Sequence, residues 1–391
     1  MSSLPGVGVF GSSTTARWMV KKLQDQGFRV EAIWCRVFSE AETVAASLSI
    51  PFFTSRVDDV LLRKDVGLVV ILCPPNLHSQ IAVKALGIGK HVLCGIPGSL
   101  NQAEFLRMVQ VSHLALLTSS HFSVLHSQAG QYYPSLMAVL AYSLRFHPGT
   151  LMMKEMMSEG YLGDSINLVD MRITCGSLLD SDYSWLCDAG MGGGVLSLLG
   201  SHLLDLVSFL ELGRVSRVHA SLNTMTRTTD NIKGIRSISA EDCAVLQMSL
   251  TGGCVVNISI NSVMSGFSQD IVLCGSAGYL AFSNDLLKGR KNGSSKEQII
   301  QLNVSQSEEE VKESGLPSVY SAGMVRMIQD LKEEFQARAQ GRARIKTAAS
   351  FADGLYVQAV IEALRRSSQS RQWTKVEMYD EDSGMAGLSM S

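Results

Sequence analysis

A strand, a glycine turn and the start of a helix follow one another in the segment Gly6–Ala16, and this order constrains the fold more than any other feature of the chain. Compared with the phosphate-binding pattern G-x-G-x-x-G, the chain has Gly11 and an accepted Ala16, but Ser13 replaces the glycine at which the backbone approaches a pyrophosphate. The N–H groups at a helix N-terminus bind phosphate without help from that side chain, so the segment still predicts a phosphate site. The predicted residues are Gly11, Ser12, Ser13, Thr14 and Ala16.

A second strand and its helix follow, over Arg29–Cys35 and Ser39–Leu48, which completes a strand-helix-strand unit. An NAD site usually has an acidic residue at the end of this strand for the ribose 2′-hydroxyl, whereas here Arg36 follows Cys35. Arginine suits a 2′-phosphate, so we predict that Arg36 binds the cofactor and favours NADP, with NAD as the second choice. The alternative is a surface arginine that caps a loop.

The same alternation continues through the strand Val66–Leu72, a short helix and the strand His91–Cys94. Continuous apolar strands between helices are typical of a parallel sheet that is covered on both faces. Ligands of such sheets bind at the carboxyl ends of the strands, and this is where Pro75, Asn76 and His78 stand. We therefore predict that these three residues contact the cofactor. The alternative for Asn76 and His78 is a plain helix cap and first-turn residue.

The chain has 391 residues, more than a single hydrophobic core supports, which predicts two domains. In the second half, Cys243–Leu250 and Val255–Asn261 both alternate apolar and polar residues, with two glycines between them. This pattern predicts a β-hairpin with one apolar face. The polar residues on its other face are Gln247, Asn257 and Ser259. Three roles are open for these residues: they line a substrate site, they contact a second subunit, or they face water.

Charge and composition exclude several kinds of partner. The 34 basic and 36 acidic residues nearly balance, so we expect no nucleic-acid or membrane partner. No apolar stretch is expected to reach the roughly 20 residues that a membrane span needs. The eight cysteines include no CxxC pair and several lie in apolar runs, which indicates reduced core residues and no metal site. We expect a cytoplasmic protein, because cleavage of an N-terminal signal peptide would remove the first strand and the phosphate loop; an extracellular protein is the alternative.

Five further motifs occur in order along the chain: Pro75–His78, Ala85–Cys94, Arg145–Pro148, Glu159–Gly163 and Gly192–Asp205. Together they resemble the glucose-fructose oxidoreductase/inositol dehydrogenase (Gfo/Idh/MocA) family and, more narrowly, the animal glucose-fructose oxidoreductase domain-containing proteins. The resemblance implies an α/β fold with an N-terminal Rossmann nucleotide-binding domain and a C-terminal α/β domain that has an open, mostly antiparallel sheet. It also implies a homo-oligomer formed through that sheet. The predicted bounds are 1–135 and 136–378, with a loose tail at 379–391.

The catalytic residues that the resemblance implies are mostly missing. In the family, a lysine in Glu-Lys-Pro and the histidine of an Asp-x-x-x-His motif handle the substrate hydroxyl proton. Here Gly95 and Ile96 stand at the glutamate and lysine positions, and Leu198 stands at the aspartate position. Only His202 is retained, which makes it the candidate catalytic residue. A lone histidine on an apolar helix, however, is more often a hydrogen-bonded core residue.

Residues 109–130 fit neither the family nor the fold. The histidines within them, His113, His121 and His126, lack regular metal-ligand spacing, so we predict no metal site there. We interpret the stretch as a splice or gene-model artefact or as a flexible surface insertion.

Three functions compete, and whether the chain is an enzyme stays open. The sequence favours an NAD(P)-binding pseudoenzyme with weak or no classical dehydrogenase activity, because the phosphate loop is kept while two catalytic positions are replaced. The first alternative is an active NADP-dependent oxidoreductase that acts on a sugar-like or polyol substrate. The second is a non-catalytic scaffold.

Overall fold

The computed structural model describes residues 4–112, 136–179, 182–228, 237–283, 285–302, 304, 307–340 and 347–379. The strands within them are β1 (Val7–Phe10), β2 (Val30–Trp34), β3 (Phe53–Thr54), β4 (Leu68–Ile71), β5 (His91–Cys94), β6 (Ala138–Leu140), β7 (Ile166–Thr174), β8 (Val215–Asn223), β9 (Cys243–Leu250), β10 (Val255–Asn261), β11 (Ser268–Gly275), β12 (Gly278–Ser283), β13 (Leu286–Lys291), β14 (Gln298–Gln301), β15 (Ala349–Ser350) and β16 (Thr374–Lys375). The α-helices with both ends described are α1 (Thr14–Asp25), α2 (Phe38–Leu48), α3 (Val57–Leu61), α4 (His78–Gly87), α5 (Pro148–Ser158), α6 (Ser201–Phe209), α7 (Glu308–Ser314), α8 (Ser318–Ala339) and α9 (Phe351–Ser370).

Two of the sequence predictions fall largely outside the described residues. Within the atypical stretch 109–130, residues 109–112 are helical, and the remainder with its three histidines lies outside the described part of the chain. The predicted loose tail lies outside it as well, apart from Tyr379.

The chain forms two compact units, each built from segments that are not contiguous. The first contains Met1–Ser99, Arg107–Leu151 and Asn303–Phe351, and the second contains Leu100–Leu106, Met152–Leu302 and Ala352–Ser391. These units differ from the predicted division into 1–135 and 136–378. The difference arises because β6 and β15 pair with each other and extend the sheet of the first unit.

The first unit has a seven-stranded sheet in the order β15-β6-β5-β4-β1-β2-β3, in which the pair of β15 with β6 is antiparallel and the other pairs are parallel. The predicted parallel sheet is therefore confirmed. β1 and β4 are buried along their whole length, and their apolar side chains share a core with Trp18 of α1 and Ile328 of α8. The strand order reverses between β1 and β4, so the crevice at their carboxyl ends is the place where this kind of sheet binds ligands.

The second unit has a nine-stranded sheet in the order β14-β13-β12-β11-β7-β10-β9-β8-β16. β7 and β10 are parallel and the remaining pairs are antiparallel, so the predicted mostly antiparallel sheet is confirmed. β9 and β10 form the predicted hairpin, with Met248 paired to Val256. Leu246 on its apolar face is 1% exposed, whereas Val245 on the other face is 53% exposed.

One helical stretch of the second unit corrects an expectation from the sequence. Ala189–Phe209 has 21 residues and a mean hydropathy of 1.3, so among the described residues one stretch does have the length and composition of a membrane span. The most apolar 18 residues of this stretch are 89% buried inside the protein, as in the core helix of a folded domain. The stretch carries the triple glycine and His202, so it positions part of the candidate site.

Candidate functional site

Gly11 forms the turn after β1 and leaves no room for a side chain. Its φ angle is +136°, and a Cβ atom would lie 2.7 Å from the carbonyl oxygen of Leu72. Its N–H donates to the carbonyl oxygen of Trp34 at 3.0 Å, which holds the turn against the end of β2. The turn therefore requires glycine, as the phosphate-binding pattern predicted.

Ser13, which departs from that pattern, caps α1. Its hydroxyl oxygen accepts a hydrogen bond from the N–H of Ala16 at 3.2 Å, which is the usual role of serine at this position. Within the described residues, the N–H groups of Thr14 and Thr15 make no hydrogen bond. The start of α1 therefore keeps donors for an anion, although the serine occupies one of them.

A segment far along the chain lies against this end of α1, and no feature of the sequence indicated it. The hydroxyl of Thr15 donates to the carbonyl oxygen of Ser314 at 3.0 Å, and Lys21 pairs with Glu313 at 2.5 Å. A Cβ atom on Gly315 would lie 3.4 Å from Cγ2 of Thr14. The end of α7 thus borders the phosphate loop inside the first unit.

His78 is buried near the carboxyl ends of the strands, so its side chain is not open to a ligand. Its ring is 2% exposed, Nε2 lies 2.7 Å from the carbonyl oxygen of Cys73, and Nδ1 lies 3.4 Å from Sγ of Cys94. Burial lowers the pKa of His78 to about 4, so the ring is neutral. Pro75 is also buried, whereas Asn76 is exposed. Of these three predicted residues, only Asn76 presents its side chain to solvent.

The altered Glu-Lys-Pro position follows β5 in the same unit. Gly95 donates its N–H to the carbonyl oxygen of Ile71 at 2.8 Å, and a Cβ atom there would lie 2.9 Å from that oxygen. Ile96 is half-buried and packs against the core of the first unit, and its peptide bond to Pro97 is cis. The side chain at the lysine position therefore contributes apolar packing and supplies no proton.

The triple glycine of the second unit is required by close contacts with protein. A Cβ atom on Gly193 would lie 2.4 Å from the carbonyl oxygen of Leu186. Gly194 has a φ angle of +101°, and a Cβ atom there would lie 2.5 Å from the carboxyl carbon of Glu241. The glycines thus make room for a neighbouring turn and for a buried carboxylate.

Glu241 caps the helical stretch that carries His202, and sequence reasoning missed it. Its carboxylate accepts a hydrogen bond from the N–H of Leu196 at 3.3 Å, and its carbonyl oxygen accepts one from Val195 at 2.8 Å. Burial raises the pKa of Glu241, while the charge of Arg365 opposes that shift. No spacing rule could have paired Glu241 with a helix start that lies 45 residues earlier in the chain.

His202 lies in α6 and is 8% exposed. Burial lowers its pKa to about 3, so its imidazole is neutral at any physiological pH. Leu198, at the aspartate position, is half-buried in the π-helical turn Leu196–Gly200, which directly precedes α6. The retained histidine and the residue at the aspartate position thus lie four residues apart on one helical stretch of the second unit, and the second of them is apolar.

Arg36 directly follows the buried Cys35 and is exposed. Its guanidinium makes no ion pair or hydrogen bond with the described residues. All eight cysteines are free thiols, and six of them are buried. No group of three or more His, Cys, Asp or Glu side chains with the geometry of a metal site occurs in the described part of the chain.

Two family descriptions match this chain. Residues 5–114 match "Oxidoreductase family, NAD-binding Rossmann fold", and residues 150–281 match "GFO/IDH/MocA C-terminal domain". The glucose-fructose oxidoreductase domain-containing protein 2 of Homo sapiens is 39% identical over 390 residues, which are 98% of this chain and 96% of that protein. The glucose-fructose oxidoreductase domain-containing protein 1 of Mus musculus is 39% identical over 388 residues, which are 97% of this chain and 94% of that protein.

Solved structures share the fold. An oxidoreductase domain protein from Kribbella flavida has a TM-score of 0.78 and 22% identity, with 96% of this chain and 100% of that chain covered. Levoglucosan dehydrogenase in complex with NADH and levoglucosan has a TM-score of 0.75 and 20% identity, with 95% of this chain and 99% of that chain covered.

Proposed function

This chain belongs to the Gfo/Idh/MocA oxidoreductase family, and we propose that it binds NADP(H) in preference to NAD(H) while its dehydrogenase chemistry is weak or absent. A single contrast carries the proposal. Gly11 and the open N–H groups of α1 keep the phosphate loop, whereas apolar side chains stand at the lysine and aspartate positions. Proton transfer by a positioned side chain contributes about 10²- to 10⁴-fold to a rate, and Ile96 and Leu198 cannot supply it.

The direct test is a titration with NADPH and with NADH that follows nicotinamide fluorescence, together with a turnover assay on a panel of sugars and polyols. We expect saturable binding of both dinucleotides, tighter binding of NADPH, and no turnover above background. If neither dinucleotide binds, the chain is a scaffold that keeps only the fold.

One observation favours the active alternative. His202 is retained in the neutral form that a base needs, although burial lowers its pKa to about 3 and so makes it a weak base until a bound ligand changes its surroundings. An NADP-dependent oxidoreductase that uses His202 as its base would act on a hydroxyl of a sugar-like or polyol substrate. Turnover that disappears in His202→Ala, in a protein that still binds NADPH, would support this alternative over the pseudoenzyme.

Arg36→Ala is expected to weaken NADPH binding and to leave NADH binding nearly unchanged. The exposed guanidinium has no protein partner in the described residues, so its removal costs little stability, while a bidentate contact to a 2′-phosphate would be lost. Hydrogen bonds to charged groups contribute about 1.5 to 3 kcal/mol, so we expect a loss of about 10- to 100-fold in NADPH affinity. An equal loss for NADH would show that Arg36 is structural.

We also propose that two copies of the chain associate through the outer face of the nine-stranded sheet. Val245, 53% exposed, lies on that face among the polar residues Gln247, Asn257 and Ser259. A symmetric sheet-to-sheet contact would cover this apolar side chain and use the polar ones as hydrogen-bonding partners.

Val245→Asp is expected to shift this association toward the monomer by at least about tenfold, because each symmetric contact would then bury two unpaired carboxylates. Light scattering after size-exclusion chromatography at several protein concentrations measures the shift. Leu62→Asp is the matched control, since Leu62 is 72% exposed in the first unit and does not belong to this sheet. Equal behaviour of the two variants would contradict the proposed interface.

A further inference from the structure

A second arginine contacts the phosphate loop, and that loop is bonded to the end of β2, which Cys35 and Arg36 follow. Arg17 lies in the first turn of α1, and its Nε donates to the carbonyl oxygen of Ser12 at 2.9 Å. That bond fixes one edge of the guanidinium against the phosphate loop. The terminal NH₂ groups make no hydrogen bond within the described residues, so they remain free to bind an anion.

Ser12 connects this arginine to the end of β2. Its hydroxyl hydrogen-bonds the thiol of Cys35, and the charge of Arg17 also acts on that thiol. Burial, with the charge of Glu40, raises the pKa of Cys35 to about 11, and the Ser12 bond and Arg17 oppose the shift. Arg17 and Glu40 therefore both act on Cys35, the residue that Arg36 follows.

Sequence reasoning did not single out Arg17, because it lies one residue beyond the glycine-rich pattern and reads as an exposed helix residue. Only the fold joins the loop that Arg17 contacts to β2. β1 and β2 are parallel neighbours, and the bond from Gly11 N–H to Trp34 joins the loop to the strand end at 3.0 Å. Arg17 on the start of α1, and Arg36 and Glu40 beyond the end of β2, thus belong to the two segments between which the adenosine ribose of a bound dinucleotide would lie.

We propose that Arg17 and Arg36 together bind the 2′-phosphate of NADP(H), and that Glu40 opposes that phosphate and limits the preference for it. The inference rests on the proposed nucleotide binding. The bond to Ser12 holds the Arg17 guanidinium in place before the ligand arrives, so less side-chain entropy is lost on binding. Glu40 lies in the first turn of α2, and its charge would repel a phosphate dianion while it would accept a hydrogen bond from a ribose hydroxyl.

The test compares NADPH and NADH affinities, by nicotinamide fluorescence, for the full chain and for Arg17→Ala, Arg17→Lys and Glu40→Gln. Adenosine 2′,5′-bisphosphate and adenosine 5′-monophosphate serve as competitors that carry the adenosine end alone. We expect Arg17→Ala to weaken NADPH and the bisphosphate by about 10- to 100-fold and to change NADH by less than about threefold. Arg17→Lys should recover only part of the loss, because a single ammonium lacks the planar fork. Glu40→Gln should tighten NADPH.

Arg29→Ala is the matched control. Arg29 precedes the opposite end of β2, is exposed, and pairs with Glu31 at 3.3 Å, so its removal makes the same change in net charge. It should leave both dinucleotides unaffected.

Three results would overturn the inference. Equal losses of NADPH and NADH in Arg17→Ala would assign Arg17 to the structure of the loop. Weaker NADH binding in Glu40→Gln, with NADPH binding unchanged, would show that the end of β2 recognises the hydroxyl groups of the ribose rather than a 2′-phosphate. Failure of the unaltered chain to bind either dinucleotide would overturn the proposed function itself, and the inference with it.

Discussion

Gly11→Ala is expected to unfold the first unit at much lower denaturant and to abolish dinucleotide binding. The new methyl group would lie 2.7 Å from the carbonyl oxygen of Leu72, and the φ angle of +136° suits no side chain. Backbone strain and overpacking each cost about 1 to 3 kcal/mol, so the free energy of unfolding should fall by about 2 to 6 kcal/mol. The loss is large for a domain that is stable by about 5 to 15 kcal/mol.

The variant Gly27→Ala separates the effect of backbone strain from the effect of overpacking. Gly27 also has a positive φ angle, +88°, but nothing lies within 4 Å of its Cβ position. This variant should be destabilised only by the strain of the left-handed backbone, about 1 to 2 kcal/mol, and should keep its affinity for NADPH. Urea denaturation gives both free energies, and nicotinamide fluorescence gives the affinities. If Gly11→Ala were no less stable than Gly27→Ala, the contact with Leu72 would not matter.

Local patterns predicted the elements of the two sheets well. The strand His91–Cys94 and both strands of the β9–β10 hairpin have the bounds that the sequence indicated. In each case the pattern repeats over four or more residues, and flanking glycine, proline or polar residues mark the ends. Such patterns depend on neighbours in the sequence, which is why they needed no knowledge of the fold.

Contacts between distant segments could not be predicted in this way. The pairing of Glu241 with Gly194, and of Ser314 with Thr15, joins residues that no periodicity connects. The same limit explains the domain bounds, because the sequence pattern did not indicate that β6 and β15 would extend the first sheet. His78 shows the related problem of burial. The sequence alone does not distinguish a strand-end histidine that binds a ligand from one that is buried against a cysteine, as His78 is against Cys94.

The structure also sets which catalytic positions can be restored. Ile96 is half-buried against the first core, so a lysine there can keep its aliphatic stem on apolar residues and place its ammonium in solvent. Leu198 is half-buried in the first turn of its helical stretch, where a carboxylate is favourable. Gly95 must stay glycine, because any side chain would collide with the carbonyl oxygen of Ile71, 2.9 Å from its Cβ position.

Ile96→Lys combined with Leu198→Asp is therefore expected to gain NADPH- or NADP-dependent turnover on a sugar and polyol panel, by about 10²-fold or more over the unaltered chain. The lysine would supply a proton donor, and the aspartate would raise the pKa of His202 from about 3. The rate of the double variant should then depend on pH between about pH 5 and 8, where the unaltered His202 does not titrate.

Ile96→Gln with Leu198→Asn is the matched control, since it changes polarity at both positions without adding an ionisable group. It should bind the dinucleotide and stay inactive. A double Lys/Asp variant that binds NADPH but transfers no hydride would contradict the view that the chain is a dehydrogenase lacking only these two groups. Turnover by the unaltered chain that His202→Ala removes would instead show that His202 suffices as the base, because its neutral imidazole would then be the group that accepts the substrate proton.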